Sequence, residues 1–217
     1  MDERAMSAGR IIERMLDLFR DNAVPIVVAI LALAVLGTAW DYAYPDSWLS
    51  LPLNIASAVA QYWVIRQVLA REDLLAANLA GAPISYIGVS FLSFVGIMLG
   101  FMLLIVPGIL LTLRWMPVVP LVLGVERLHT NDALGEAWNR TRGHWRAIGV
   151  AYLLTLIPFA GAVLAWVWQP FGIVTQLAAL GVANILFNLG MALSWMLSVS
   201  VYQGFATRER ELEGIFA

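Results

Sequence analysis

The sequence predicts an all-α, polytopic integral membrane protein with about six transmembrane helices and several cytoplasmic amphipathic helices. Three observations lead to this fold class. Of the 217 residues, 61% are hydrophobic and only 13% are charged, and the mean hydropathy is +0.80. Soluble domains are about 45–50% apolar and about 25% charged, and a single core of this size cannot bury so much apolar surface. The composition therefore excludes an ordinary soluble domain, and it excludes a disordered chain as well.

Six apolar segments approach the length of about 20 residues that a helix needs to cross a bilayer. We expect residues 1–217 to form a single membrane domain. The uncharged stretch 170–206 is too long for one untilted span at about 1.5 Å per residue, so we expect a loop or interfacial piece to about Gln176. Whether residues 170–177 form a loop, a re-entrant piece or part of a long last helix stays open. The predicted spans are about 24–40, 51–69, 84–106, 108–125, 147–168 and 177–204.

Basic residues are confined to alternate connectors and to the span ends next to them, apart from one arginine well inside a span. All 13 basic residues are arginines. Because cytoplasmic connectors carry an excess of basic residues, we expect both termini to be cytoplasmic. The aromatic residues near the opposite connectors are expected to form an outer belt at the membrane interface; they are Tyr42, Tyr44, Trp48, Trp166 and Trp168. The arginines that set the orientation are Arg4, Arg10, Arg14, Arg20, Arg66, Arg71, Arg127, Arg140, Arg142, Arg146, Arg208 and Arg210.

Two cytoplasmic segments have the pattern of amphipathic helices. At 100° per residue, residues 8–21 place apolar and charged side chains on opposite faces, which predicts an interfacial helix before the first span. The second helix is predicted over 131–142, with Asn131 as its N-cap and Gly143 just beyond its C-terminus. Residues 73–79 form a weaker third candidate. Together the three segments suggest an internal repeat of an amphipathic helix and two spans.

Arg114 lies well inside the predicted fourth span, between Pro107-Gly108 and Pro117. A charge at the bilayer centre costs at least about 2.5–3.5 kcal/mol, so this side chain should face protein or water. Prolines free backbone carbonyls that a guanidinium group can satisfy. Three interpretations stay open. Arg114 belongs to a site for an anion, a lipid phosphate or a substrate, or it snorkels or bonds those carbonyls and holds the fourth span in place. The third interpretation is that the predicted topology around it is wrong.

Two further intramembrane polar residues, Asn184 and Asn188, lie one helical turn apart on the last span. Asn54, Ser57 and Gln61 form a similar stripe on the second span. Such amides and hydroxyls serve either a polar path or ligand contact, or hydrogen bonds between packed spans. Both interpretations stay open.

A cluster of alternating tryptophans and arginines is expected at the depth of the lipid headgroups on the cytoplasmic side. Anionic headgroups attract such arginines by about 1 kcal/mol each. The expected partners are therefore membrane lipids, anionic lipids among them, together with a protein partner or a second copy of the chain. Nucleic acid is not expected, because the net charge is −2 and no basic stripe lies outside the membrane flanks. The residues of this cluster are Trp138, Arg140, Arg142, Trp145 and Arg146.

The residue types needed for most chemistry are missing from the sequence. There is no Cys and no Lys, which excludes thiol catalysis, Cys-ligated metals and Schiff-base chemistry. His129 and His144, the two histidines, lack the spacing of a metal site. Neither an HExxH nor a GxSxG motif is present. We therefore expect no catalytic residues, no metal site and no cofactor.

The stretch from Pro107-Gly108 through Arg114 to Pro117, followed by residues 132–146, resembles a known membrane domain. It is similar to the domain that accompanies glycerophosphoryl diester phosphodiesterases in some bacteria, and to the stand-alone YciC-type inner-membrane proteins. In that superfamily a Pro-Gly break precedes an intramembrane Arg, and a cytoplasmic EAxxxSWxLTxGxxW-like helix follows. This chain departs from the pattern at Trp138-Asn139, where Ser-Trp is usual.

The resemblance covers about residues 100–210, and Tyr202 and Arg208 match the Tyr and Arg that close the superfamily's last span. It implies a six-span module in the bacterial inner (plasma) membrane, with a poorly defined role. The phosphodiesterase activity of the fused relatives needs a separate barrel domain of about 250 residues. Two functional hypotheses follow. The first is a non-catalytic module that engages lipids or partner proteins, and the alternative is a small transporter or channel for an anionic solute or lipid built around Arg114.

Overall fold

The protein is all-α in the computed structural model, which describes residues 7–44, 50–168 and 172–216, with residues 207–216 described by their backbone alone. In these ranges the chain is 84% helical and contains no strand. The helices are α1 (Ala8–Asp21), α2 (Ala23–Ala43), α3 (Leu51–Arg71), α4 (Ala82–Leu103), α5 (Ile105–Arg114), α6 (Val118–Leu123), α7 (Thr130–Arg140), α8 (Trp145–Val167) and α9 (Ile173–Phe216).

Five helical segments of the described chain are long and apolar enough to cross a membrane. α5 and α6 together make one of them, and α9 contributes its residues as far as Ala206. The structure is therefore that of a multi-pass membrane protein. The five segments are Ala23–Ala43, Ala82–Leu103, Ile105–Leu123, Trp145–Val167 and Ile173–Ala206.

The segment predicted as the second span forms helix α3, but α3 is not one of these five. Its 21 residues include polar and charged side chains, among them Gln61, Arg66 and Arg71, which lower its hydropathy. α3 nevertheless runs antiparallel to α2. The Arg71 Nη1 atom donates hydrogen bonds to the Asp21 carbonyl at 3.0 Å and to Asn22 Oδ1 at 3.2 Å. α3 therefore ends beside the start of α2.

Buried side chains are concentrated in one half of the molecule, which we call the packed half. It contains α1, α6, α7, the C-terminal part of α3, the start of α8 and the later part of α9. Ile11, Met15 and Leu18 of α1 are buried there, as is every residue of α6. Ser200 of α9 donates a hydrogen bond to the Ile11 carbonyl at 2.8 Å. α1 is therefore docked onto the helices and is not a loose leader.

The opposite half, which we call the apolar half, exposes most of the large hydrophobic side chains of α2, α4, α8 and the first part of α9. Exposed apolar area of this extent is unusual on a soluble monomer. Lipid tails solvate such surfaces, so a membrane protein does not need to bury them against itself. The distribution of burial thus separates a protein-packed layer from the part of the bundle that meets lipid.

The turn between the predicted third and fourth spans comes earlier than expected. α4 ends at Leu103, three residues before the predicted end at about 106, and Leu104 has an extended backbone with φ −164° and ψ 149°. The hairpin closes tightly because Gly100 and Gly108 face each other: a Cβ at Gly100 would lie 3.0 Å from the Gly108 Cα. All side chains at the tip, residues 102–106, are apolar and more than two thirds exposed.

The predicted fourth span, 108–125, is broken into α5 and α6. The break covers Trp115, Met116 and Pro117, and Pro117 and Pro120 supply no backbone N–H to continue the helix. The Met116 carbonyl that the break leaves open accepts a hydrogen bond of 2.6 Å from Ser198 Oγ of α9. The break is therefore satisfied by a neighbouring helix, as a non-helical segment among apolar surroundings requires.

The expectation of a third amphipathic helix at 73–79 is wrong. Asp73 has φ +54°, and the following residues pair with the segment after α6. The Ala76 N–H donates to the Leu123 carbonyl at 3.1 Å, and the Val125 N–H donates to the Leu74 carbonyl at 2.9 Å. These hydrogen bonds pair the two connectors with each other. Because residues 73–79 form no helix, the suggested repeat of three amphipathic helices lacks its second helix.

Smaller differences concern the ends of the later helices. α7 spans Thr130–Arg140 where 131–142 was predicted, and α8 begins at Trp145, two residues earlier than expected. α9 begins at Ile173, so residues 173–176 are helical and not a loop. At 44 residues it is about 66 Å long. Residues 170–171 of the expected loop, and Trp48 of the expected aromatic belt, lie outside the described residues.

Candidate functional site

Arg114 does not sit in the middle of a continuous span. It is the last residue of α5 and packs against α7, because the helix breaks immediately after it. Its Nη1 atom donates a hydrogen bond of 3.2 Å to the Trp138 carbonyl. Its guanidinium carbon lies 4.8 Å from the centroid of the Trp138 ring, in a cation–π arrangement. Arg114 was expected inside the membrane and Trp138 at the depth of the lipid headgroups, but the two side chains are in contact.

Thr141 ties the end of α5 to the end of α7. This side chain is fully buried, and its hydroxyl donates to the Ala137 carbonyl at 2.7 Å. The same oxygen lies 3.2 Å from the Arg114 carbonyl, one of the groups left open by the break. The position of Arg114 is therefore set by its backbone as well as by its side chain.

Arg140 was expected to meet lipid headgroups, but its charge is neutralised within the protein. Its Nε atom lies 2.6 Å from Glu136 Oε1, and its Nη1 atom lies 2.7 Å from Glu126 Oε1. The side chain is only 14% exposed. The pair with Glu126 joins α7 to the connector that follows α6, while the pair with Glu136 lies within α7, and together they give Arg140 a structural role.

The remaining residues of the expected headgroup cluster lie at the corner between α7 and α8. Gly143 makes this corner with φ +90°, a conformation that favours glycine. Arg142, Trp145 and Arg146 are exposed, and the Arg146 guanidinium carbon lies 5.4 Å from the centroid of the Trp145 ring. We call Arg114, Trp138, Arg142, Trp145 and Arg146 the Arg–Trp patch.

The three arginines of the Arg–Trp patch form no ion pair in the described part of the chain. Two of them stack on tryptophan rings, which hold the guanidinium groups in place. Guanidinium groups match the geometry of phosphate and carboxylate oxygens, and tryptophan favours the boundary between apolar and aqueous surroundings. Chemically, the patch is suited to bind an anionic group at the surface of a membrane.

Asn184 and Asn188 lie elsewhere, in the apolar half. Asn184 Nδ2 donates to Asp41 Oδ2 of α2 at 2.9 Å, and Asn188 Nδ2 donates to the Asn184 carbonyl at 2.8 Å. These residues line a cavity of about 430 Å³ between α2, α3, α8 and α9. The intramembrane polar residues predicted from the sequence therefore fall into two separate places.

Asp41 was missed as a site residue, because the first span was expected to end at Trp40. Helix α2 continues to Ala43, which places Asp41 on the helix face that already carries Leu33 and Gly37. A spacing of four between these three residues was the available signal, since positions four apart share one face of a helix. The contact of this helix face with α9 could not be predicted from the spacing alone.

His144 lies beside α9, its ring centroid 6.5 Å from that of Phe205. Among the residues that the structure describes, no group of three His, Asp or Glu side chains is placed to hold a metal ion.

No protein-family model, no curated protein and no solved structure matches the chain. The chemistry of the Arg–Trp patch and of the cavity therefore has to carry the functional interpretation.

Proposed function

We propose that this protein is a non-catalytic membrane module whose Arg–Trp patch binds the headgroups of anionic lipids. The observation that carries the proposal is the set of three arginines without carboxylate partners in the described chain, two of them stacked on tryptophan rings. Each arginine near an anionic surface contributes about 1 kcal/mol of attraction. The patch offers no nucleophile and no general base, which favours binding over catalysis.

The patch faces the cytoplasm of a bacterial inner membrane in this proposal. α1 and α7 lie along the cytoplasmic interface as amphipathic helices, each with a buried apolar face in the packed half. Both termini are cytoplasmic, which requires α3 to cross as a sixth span. The antiparallel course of α3 beside α2 supports that crossing, because the end of α3 returns to Asn22 at the start of α2.

We also propose that the chain belongs with the membrane domains that accompany glycerophosphoryl diester phosphodiesterases and with the YciC-type proteins. The support is the pattern of residues alone. Tyr202 and Arg208 match the Tyr and Arg that close the superfamily's last span. Tyr202 is fully buried and lies against Gly124 in the packed half. The side chain of the other, Arg208, lies outside the described residues.

The alternative, a transporter or channel for an anionic solute or lipid built around Arg114, has less support. Arg114 contacts α7 and does not line the cavity of the apolar half. The residues that line that cavity include one carboxylate and no cationic side chain, an arrangement that opposes an anionic solute.

Lipid retention measured by native mass spectrometry tests the proposal. The protein is reconstituted into nanodiscs of equimolar phosphatidylglycerol and phosphatidylcholine, and the lipids that stay bound are counted. We expect wild type to retain phosphatidylglycerol preferentially. The double variant Arg142→Gln/Arg146→Gln should lose up to about 30-fold of that preference, since two contacts of about 1 kcal/mol each are removed.

The matched control is Arg10→Gln/Arg20→Gln, which removes two exposed charges from α1 and leaves the Arg–Trp patch intact. This control should keep more of the preference for phosphatidylglycerol than the patch variant, because no tryptophan ring holds Arg10 or Arg20 in place in the described chain. If both double variants lose it equally, or if neither does, the patch is not the headgroup site and the proposal fails.

A further inference from the structure

The cavity of the apolar half is lined on one side by hydrogen-bond acceptors. Asn184 Nδ2 donates both to Asp41 Oδ2 and to the Leu180 carbonyl at 3.0 Å, so both of its amide hydrogens are used. The second carboxylate oxygen of Asp41 and the side-chain oxygen of Asn188 remain as acceptors. The polar wall of the cavity thus combines a negative charge with amide oxygens.

A close approach of α2 and α9 holds this wall in place. The Asn184 side chain lies directly on Gly37, where an added Cβ would be 2.9 Å from Asn184 Cγ. A larger residue at position 37 would push the amide away from Asp41. The acceptor group is therefore built by the packing of two helices, and Asn188 beside it is only 7% exposed.

α3 supplies further polar groups to the cavity. Asn54 and Ser57 line it, and neither makes a side-chain hydrogen bond with another residue in the described part of the chain. Their hydroxyl and amide groups are open to an occupant. Binding sites of this kind hold a few placed polar groups within mostly apolar walls.

The remaining walls of the cavity are apolar and aromatic, and its volume of about 430 Å³ falls within the usual range of about 300–1,000 Å³ for small-molecule sites. No cationic side chain is among the lining residues to neutralise Asp41. Aromatic faces also attract cations. The apolar lining comprises Leu33, Leu53, Val163, Trp166, Phe187 and Met191, with two alanines and Gly37.

We propose that this cavity binds an organic ammonium ion that carries an apolar body. Asp41 is the counter-ion, Asn184 holds Asp41 in position, and the side-chain oxygen of Asn188 is a second acceptor for the ammonium group. A primary ammonium group donates three hydrogen bonds and accepts none, which matches an acceptor-rich wall. The ammonium is carried either by a free amine or by the headgroup of an aminophospholipid. The site lies apart from the Arg–Trp patch and does not depend on the function proposed for it.

Binding of phenethylammonium to the purified, detergent-solubilised protein tests the proposal by calorimetry. We expect saturable binding of one equivalent, with 2-phenylethanol and phenylacetate at least tenfold weaker because they lack the ammonium group. Asp41→Asn preserves the shape and the hydrogen bond from Asn184 but removes the charge. It should weaken phenethylammonium binding about tenfold or more, since a hydrogen bond to a charged carboxylate is replaced by one to a neutral amide.

Two further variants separate loss of binding from loss of folding. Ser57→Leu narrows the cavity from α3 without touching Asp41 and should also weaken binding, while Asp132→Asn removes an exposed carboxylate of α7 and should not. Equal binding of the three compounds, or an Asp41→Asn protein that binds phenethylammonium like wild type, would overturn the proposal.

The source of the ammonium is decided in nanodiscs that contain phosphatidylethanolamine. Stoichiometric retention of this lipid, with its displacement by phenethylammonium and its loss in Asp41→Asn, would assign the cavity to a lipid headgroup. Phenethylammonium binding without such retention would assign it to free amines. Failure of both probes would refute the ammonium site and leave the Arg–Trp patch untouched.

Discussion

The contact of Gly124 with α9 makes a sharp test of the packed half. Gly124 follows α6 and has φ −75°, so an alanine there meets no backbone strain. Its Cβ would however lie 2.7 Å from the Pro120 carbonyl oxygen and 2.7 Å from Tyr202 Cζ, and nearer still to the Tyr202 hydroxyl. Optimal non-bonded separations are about 3.5–4.0 Å, so Tyr202 and the Pro120 carbonyl must each move away from the new Cβ by at least roughly 0.8 Å.

Gly124→Ala should therefore destabilise the protein. Overpacking of a filled core costs about 1–3 kcal/mol, and the reduced freedom of the unfolded chain returns about 0.4–1 kcal/mol. From the midpoints of these ranges, about 2 and about 0.7 kcal/mol, the net loss is about 1.3 kcal/mol. In a chain of this size that lowers Tm by about 3–5 °C. Intrinsic tryptophan fluorescence in detergent, at one fixed heating rate, measures the difference.

Gly135→Ala is the matched control, because a Cβ at this position within α7 has no neighbour within 4 Å. Alanine is better than glycine in a helix by about 0.5–1 kcal/mol, so this variant should be slightly more stable than wild type. A Gly124→Ala protein that melts with or above Gly135→Ala would refute the described packing of α6 against Tyr202.

Three other substitutions test separate features. Arg140→Gln removes the cation that Glu126 and Glu136 share and should cost about 1–3 kcal/mol, less than a fully buried pair because the group is partly exposed. Unchanged melting would contradict its structural role. Gly143→Ala forces a side chain into φ +90° and should cost about 1–2 kcal/mol, measured by the same melting curve; no loss would contradict the described corner. Leu104→Asp at the hairpin tip should lower the amount of protein in the membrane fraction relative to Leu104→Met, since a carboxylate at the apolar boundary of the membrane is unfavourable, though by less than the about 2.5–3.5 kcal/mol of a span centre. Equal amounts would place the tip in water.

The helices themselves were predictable, because long apolar runs and helical periodicity are local properties. α1 and α8 begin and end within about two residues of the segments expected from those patterns. α3 shows the limit of that reasoning. Its polar residues lower the hydropathy signal, and its partner α2 is recognised only through contacts such as that between Arg71 and Asn22, 49 positions apart.

The position of Arg114 was not predictable, because it depends on contacts distant in sequence. The break after α5 is satisfied by Ser198, 82 positions from Met116, and without that bond a continuous fourth span was the simpler expectation. Because the helix ends at Arg114, this side chain contacts Trp138 and is not an isolated charge within a span. Arg140 was expected to face lipid, whereas it forms ion pairs with Glu126, 14 positions away, and with Glu136.

The cavity illustrates the same limit more strongly. Asp41 and Asn184 are 143 positions apart, and no local pattern joins them. Sequence reasoning found the asparagines as intramembrane polar residues but gave them no acidic partner. A residue's chemistry can be read from its type, whereas its partners depend on how the helices assemble.

The sidedness of two single cysteines tests the central claim, that α3 crosses the membrane as a sixth span and the Arg–Trp patch faces the cytoplasm. The chain contains no Cys, so Tyr44→Cys and Asn139→Cys each introduce one unique thiol for a membrane-impermeant maleimide. Between these positions lie α3, α4 and the pair α5 and α6. If all three cross, the two thiols should label from opposite sides of sealed vesicles. Labelling of both from the same side would show that α3 does not cross, and would contradict the proposed orientation.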